Sequence, residues 1–256
     1  MRADVYIVAQ GAASSRTAAQ KLISAGAVTV DGKRITKASE DIPDGEHVLS
    51  VGEIAELKYV SRGGLKLEAA LDAFGIAVEG LTAADIGAST GGFTDCLLSR
   101  GARRVFCVDA GHGQLHPRIA SDPRVRSVEG CNARPLTAAE LVRMEDEIPD
   151  FDGRVDLCVM DVSFISQTCI LPALSDIVRE GGGLVSLIKP QFELGAGALG
   201  KGGVVRRAAD REAAVRRVLA SADACGFSAV GVITSPIEGG DGNVEYVGYF
   251  RRVSRS

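Results

Sequence analysis

The stretch Asp85-Ile86-Gly87-Ala88-Ser89-Thr90-Gly91-Gly92-Phe93 is built to bring backbone close to a ligand. An apolar run ending at Ile86 reads as a strand. Residues 93–99 read as a helix, closed by Gly101 where a left-handed residue is wanted. A strand, a small-residue turn and a helix form the usual nucleotide cradle. The dinucleotide fingerprint G-x-G-x-x-G is broken, because Ser89 stands at its second glycine. Asp109 ends the next apolar run, about 20 residues past the first glycine, where an acid can accept hydrogen bonds from both hydroxyls of a ribose. The pair suits S-adenosylmethionine at least as well as NAD. Further along, Asp161 and Lys189 end two more apolar runs, and Glu245 opens the last one. A lysine in a cleft beside an acid can be tuned by desolvation and neighbouring positive charge. Such a lysine can accept the proton of a hydroxyl, which is a poor nucleophile until that proton is removed.

These residues need a scaffold that gathers strand ends. Strand candidates fall at 82–86, 104–109, 125–129, 155–160, 183–188, 228–234 and 244–250, with helices near 93–100, 137–147, 168–179 and 208–225. Alternation of this kind gives a mostly parallel sheet covered on both faces. Only a loop, 235–243, separates the last two strands, so they pair as a hairpin and the final strand is antiparallel. The pattern resembles the Rossmann-like, seven-stranded fold of S-adenosylmethionine-dependent methyltransferases, an α/β architecture. Ligands in such sheets sit at the carboxyl ends of the strands. Methylation of an exocyclic amine usually uses Asp or Asn before Pro-Pro and an aromatic. Here Asp161 leads into Val162-Ser163-Phe164 with no proline. Methylation at pyrimidine C5 needs a cysteine nucleophile in these loops, and neither loop has one. Cys169 lies further on, in a helix, and is expected in the core.

The 256 residues allow one large domain and a small one. No apolar run approaches the length of a membrane span, and no signal-peptide core opens the chain, so cytoplasm is the default. The six cysteines are scattered and the three histidines show no ligand spacing, which argues against disulfides and a metal site. Net charge is −4, so its distribution carries the information. Residues 14–37 hold Arg16, Lys21, Lys33, Arg34 and Lys37 against Asp31 alone, and 201–217 hold a second basic cluster. Ser14 or Ser15 can cap a helix through Gly26, and Asp31-Gly32 is a hairpin signal. The pattern S-R-x-x-A-x-x-L-I-x-x-G-x-V-x-V-D-G-x-x-I-x-K-x-S resembles the S4 RNA-binding domain. That resemblance implies a small α+β domain over residues 1–54, a linker over 55–60, and Arg2, Arg16, Lys21, Arg34 and Lys37 facing phosphates. The catalytic domain then spans 61–256. Ser61 can cap its first helix. Lys66 sits at the edge of the stripe Leu67, Ala70, Leu71 and Phe74, where a helix lysine faces solvent on pattern alone.

Lys66, Asp161, Lys189 and Glu245 are similar, in order and context, to the Lys-Asp-Lys-Glu tetrad of FtsJ-type ribose 2′-O-methyltransferases. With the S4 pattern, and with S-R-G-G-x-K, D-x-G-A-S-T-G-G-F-T, D-x-S-F-I-S, K-P-Q-F-E and G-N-V-E-Y, the chain resembles the TlyA family, also named haemolysin. The resemblance implies S-adenosylmethionine-dependent 2′-O-methylation of a cytidine in ribosomal RNA, with a large ribosomal subunit as partner. By its short ends the chain is similar to the forms expected to modify only 23S rRNA; longer members act on 16S rRNA as well, which stays an alternative target. Lys189 would activate the 2′-hydroxyl, Asp161 would orient it, and Lys66 and Glu245 would fix the ribose. The cofactor would rest on Asp85, Gly87, Ser89, Thr90, Gly91, Gly92 and Phe93, with Asp109 on its ribose and Asn132 at the adenine. Arg62, His112 and Phe164 would meet RNA, Phe164 by stacking on a displaced base. His112 replaces a tyrosine of relatives. The rival readings are an RNA-binding assembly factor with a degenerate catalytic domain and a membrane-active haemolysin.

Overall fold

The computed structural model describes residues 1–52, 58–239 and 242–254. The chain divides into two compact units, Met1–Lys58 and Tyr59–Ser256. Of the expected linker 55–60, residues 55–57 lie outside the described residues.

The first unit packs helices α1 (Ala3–Ala9) and α2 (Arg16–Ser24) on a three-stranded antiparallel sheet of β1 (Val28–Val30), β2 (Lys33–Arg34) and β3 (Leu49–Val51), in the order β2-β1-β3. Ser15 caps α2 by accepting the Ala18 N–H at 3.2 Å. Asp31 and Gly32 both take left-handed φ, 51° and 76°. That geometry makes the two-residue turn that sets Val30 opposite Lys33. Helix α1 was not expected. It has no side-chain cap, and its signal was only Ala3, Tyr6 and Ile7 at i, i+3 and i+4, all buried.

The second unit is a seven-stranded sheet in the order β6-β5-β4-β7-β8-β10-β9. Its strands are β4 (Thr82–Ile86), β5 (Arg104–Asp109), β6 (Val125–Glu129), β7 (Val155–Met160), β8 (Val178–Ile188), β9 (Phe227–Thr234) and β10 (Tyr246–Arg252). β4 to β8 run parallel, while β10 is antiparallel to both β8 and β9. The final strand inserts between β8 and β9, leaving β9 at the edge. On one face lie α3 (Gly63–Ala73), α4 (Gly92–Ser99) and α5 (Pro117–Ala120). On the other lie α6 (Ala138–Arg143), α7 (Leu171–Ile177) and α9 (Ala208–Ala224). A four-residue helix α8 (Pro190–Glu193) follows β8. β4 is buried throughout, as a central parallel strand must be. β8 begins five residues earlier than its apolar run suggests, because an irregular glycine-rich stretch extends it back to α7.

Two local expectations are corrected. Ser61 does not cap α3. The helix starts at Gly63, Arg62 is already helical, and Ser61 contributes only its main-chain oxygen to the Gly64 N–H at 3.2 Å. Gly64 is needed there because a Cβ would stand 2.4 Å from the Tyr59 ring. Cys169 is exposed rather than in the core, since it closes a short 3-10 turn, Gln167–Cys169, before α7. Gly101 takes φ 84° just past α4, as the helix end requires.

Candidate active site

The strand order reverses between β4 and β7, so the loops after these two strands part and leave a crevice. The loop after β4 is the glycine-rich turn. Gly87, Ser89 and Gly91 take φ of 83°, 47° and 90°. A Cβ on Gly87 would meet the Asp161 main-chain oxygen at 2.6 Å, so only glycine lets the two strand ends come together. Asp109 pins the turn from β5. One of its carboxylate oxygens accepts the Ser89 N–H at 2.8 Å and the other accepts the Gly111 N–H at 2.7 Å. Asp85 works from behind, fully buried, accepting the Thr94 N–H at 2.9 Å and the Thr94 hydroxyl at 2.7 Å. Burial pushes the Asp85 carboxyl up to about 7, the Thr94 bonds oppose the rise, and the charge of Asp161 adds to it.

Two cavities open on the crevice. The first, about 430 Å³, is lined by Ile86, Val108, Asp109, Gln114, Asn132 and Ile170 among others. It is mainly apolar, with Asp109, Gln114 and Asn132 among its polar lining groups. The second, about 300 Å³, is lined by Arg62, Lys66, Thr90, Gly92, Phe93 and Lys189. Both share Gly87, Ser89, Asp161 and Ser163, so they adjoin at the ends of β4 and β7. Two ion pairs furnish the second cavity. Lys189 Nζ lies 2.6 Å from Asp161 Oδ1 and donates to Ser163 Oγ at 2.8 Å. Lys66 Nζ donates to Glu245 Oε2 at 2.5 Å, both side chains being buried. The pattern-based expectation of a solvent-facing Lys66 fails because β10 brings a carboxylate to it from 179 residues away. A mainly apolar cavity thus opens beside one lined by two amines, Lys66 and Lys189, and the Asp161 carboxylate, with Glu245 paired to Lys66 outside the lining.

The profile of FtsJ-like methyltransferases matches residues 59–252, and that of S4 domains matches residues 1–48. The chain belongs to the FtsJ-like methyltransferase family. It is 44% identical over 250 residues to the 16S/23S rRNA (cytidine-2′-O)-methyltransferase TlyA of Mycobacterium tuberculosis, covering 98% of this chain and 89% of that one. It is 42% identical to Hemolysin A of Brachyspira hyodysenteriae, covering 98% and 99%. A solved structure named for a hemolysin, from Streptococcus thermophilus, is similar with a TM-score of 0.74 at 41% identity, covering 99% of this chain and 89% of that one.

Within the FtsJ-like unit, Gly87, Ser89, Asp109 and Asn132 line the first cavity, and Thr90, Gly92 and Phe93 the second. Asp85 and Gly91 line neither. Asp85 is too deep, and Gly91 is turned against Leu115 and Ile119. Arg62 reaches the second cavity, whereas His112 packs its ring by Gly130, outside both. Phe164 is 91% exposed with φ 64°, and its ring sits 5.3 Å from that of Phe192. In the S4 unit, Arg2 and Arg16 both grip the buried Asp4 (Nε to Oδ1, 3.0 Å; Nη2 to Oδ2, 3.0 Å). Arg34 Nε donates to Gly26 O at 2.9 Å, and Lys21 and Lys37 are exposed. Pattern reasoning missed Ser163, Gln114 and Glu193. Ser163 and Glu193 lie inside motifs already singled out, and Gln114 accepts from Ser89 Oγ at 3.2 Å. Among the described residues, no three His, Cys, Asp or Glu side chains converge as a metal site requires, and no helix is long and apolar enough to cross a membrane.

Proposed function

We propose that this protein transfers a methyl group from S-adenosylmethionine to the 2′-hydroxyl of a cytidine in ribosomal RNA. The observation that carries the reading is the junction of the two cavities at Asp161 and Ser163, where the amine of Lys189 is held. 23S rRNA is the preferred target, since relatives from Mycobacterium tuberculosis and Campylobacter jejuni both carry it in their names. Residues 1–54 bind RNA, residues 61–256 carry the chemistry, and a ribosomal RNA substrate places the reaction in the cytoplasm.

The residues present fit the cofactor. Gly87 lacks a side chain where the cavities meet, and the first cavity offers Asp109 and Asn132 in its lining together with apolar Ile86, Val108 and Ile170. Asp109 and Asn132 would hold the nucleoside portion, and Gly87 and Ser89 the portion toward Asp161. When bound, S-adenosylmethionine supplies a methyl group on a positively charged sulfur, open to attack by an oxygen. The protein's part is alignment, proton acceptance and exclusion of water. Lys189 takes the proton of the 2′-hydroxyl. Asp161 holds the lysine at the strand end. Lys66, held by the buried Glu245, lines the second cavity, against which the ribose rests. The S4 unit holds structured RNA by backbone and shape, as double-stranded RNA is usually read.

Lys189→Ala decides the matter. The variant is expected to bind S-adenosylmethionine with unchanged affinity in calorimetry and to lose methyl transfer to rRNA. Full activity would remove Lys189 from the chemistry. Absence of cofactor binding by the wild-type protein, with RNA present, would favour an RNA-binding assembly factor.

A further inference from the structure

We infer that Ser163 is a positioning residue of the methyl-transfer reaction and that Glu193 holds it in place. The inference rests on the reading of Lys189 as the group that activates the hydroxyl.

Among the described residues the amine of Lys189 pairs with Asp161 Oδ1 at 2.6 Å and donates a hydrogen bond to Ser163 Oγ at 2.8 Å. A tetrahedral nitrogen offers three directions beyond its carbon. Ser163 Oγ takes one of them as an aligned hydrogen bond, the Asp161 carboxylate faces the amine as an ion pair, and the neutral amine keeps one direction for its lone pair. Asp161, Ser163 and Lys189 all line the second cavity, so a group that enters it meets the amine. With Asp161 alone the amine could turn about its carbon–nitrogen bond and present a hydrogen in place of the lone pair. The second acceptor removes that freedom.

Ser163 lies on an exposed loop and precedes Phe164, whose left-handed backbone is strained for an aromatic residue. Such a loop holds its serine in register only if anchored. The anchor is Glu193, 2% exposed. Its Oε2 accepts the Ser166 hydroxyl at 2.5 Å and its Oε1 accepts the Gln167 N–H at 3.0 Å. Gln167 is in turn tied to β8, with its Oε1 accepting from Ser186 Oγ at 2.5 Å. Among the described residues no lysine or arginine pairs with the Glu193 carboxylate. An amide keeps one acceptor oxygen for the Gln167 N–H, and its NH2 can donate to the Ser166 hydroxyl oxygen, which reverses the direction of that one bond. Lys189 is the N-cap of α8, and Glu193 is the last residue of α8. One short helix therefore grips the loop twice, through Lys189 at Ser163 and through Glu193 at Ser166 and Gln167. The double grip fixes the direction of the amine.

Single-turnover methyl transfer to purified rRNA tests this, read beside cofactor affinity and the KM for RNA. Ser163→Ala is expected to slow the single-turnover rate about 10- to 100-fold, the usual loss for a misaligned reacting group, with cofactor Kd and RNA KM unchanged. Ser163→Thr restores the hydroxyl and most of the rate. Glu193→Ala slows the step while Glu193→Gln does not, and the double variant Ser163→Ala/Glu193→Ala is no slower than the slower single variant, because both act through one contact. A Ser163→Ala variant at the wild-type rate, a Ser163→Thr variant as slow as Ser163→Ala, or losses that multiply in the double variant would overturn the inference. If Glu193→Ala does not fold, the two Ser163 variants and Glu193→Gln decide. Lys189→Ala run in parallel separates the layers: an inactive Lys189→Ala beside a fully active Ser163→Ala overturns this inference alone, and a fully active Lys189→Ala overturns the reading beneath it.

Discussion

Lys66 Nζ and Glu245 Oε2 stand 2.5 Å apart with both side chains buried, one on α3 and the other immediately before β10. Removing either partner leaves an uncompensated buried charge, which costs about 3–5 kcal/mol. Replacing both by apolar residues of similar volume is often neutral. Lys66→Met is therefore expected to lower the melting temperature by on the order of 10 °C, and Lys66→Met/Glu245→Leu to recover most of that loss. If the pair serves the ribose as well as the fold, the double variant stays inactive. A double variant that regains both stability and methyl transfer would reduce the pair to packing.

Asp85 gives the protein a pH signature. Its folded value, about 7, lies above the ordinary 3.8, chiefly because the carboxyl is fully buried. A raised acid favours the folded state when protonated. Its penalty is absent below about pH 4, grows from pH 4 to 7, and is complete above pH 7, where it amounts to on the order of 4 kcal/mol. Asp85→Asn keeps an acceptor for Thr94 and removes the titration. The melting temperature of the variant minus that of the wild type should rise between pH 5 and pH 8. A difference that stays flat over this range would show that Asp85 is ionised throughout.

The strand ends were legible because a parallel sheet announces itself by short apolar runs, and the polar residue that ends each run falls at the carboxyl edge. Asp109, Asp161 and Lys189 were found that way. Lys66 was not legible from its helix, since nothing within one turn marks it as buried. Its partner arrives through a strand pairing that local periodicity does not encode. Glu193 was visible only as the last residue of the K-P-Q-F-E motif, without a role, because that role depends on a loop 26 residues earlier. The left-handed backbone of Phe164 had no signal, because aromatic residues are disfavoured there. Helix α1 was missed for want of a capping side chain.

Asp4 organises the S4 unit. It is buried and accepts from Arg2, Arg16 and the Gln20 amide, the last at 3.0 Å. The Arg2 hydrogen bond above all, then that of Gln20, hold its carboxyl well below the usual range. Its contribution is therefore present above about pH 4 and lost as pH falls further. Hydrogen exchange of the full chain should show α1 and α2 opening earlier than the FtsJ-like unit on acidification below pH 4. Asp4→Ala should show the same opening at neutral pH and weaken RNA binding, although it removes a negative charge. Tighter RNA binding by Asp4→Ala would mean that charge, not the arrangement of Arg2 and Arg16, sets the affinity.

Phe164 separates stability from function most sharply. At 91% exposure it contributes little burial, and its φ of 64° is unfavourable by about 1 kcal/mol for any residue with a Cβ. Phe164→Gly relieves that strain, partly offset by the entropy glycine adds to the unfolded chain. The variant should melt at or slightly above the wild-type temperature. If Phe164 stacks on an RNA base, the same change removes about 1–3 kcal/mol of binding, a loss of roughly 5- to 150-fold in RNA affinity at constant salt. Phe164→Ala should lose RNA affinity equally without the gain in stability. Phe164→Tyr keeps the ring and should keep the affinity. Unchanged RNA binding by Phe164→Gly, measured by filter binding against rRNA, would leave this exposed ring to its contact with Phe192 alone.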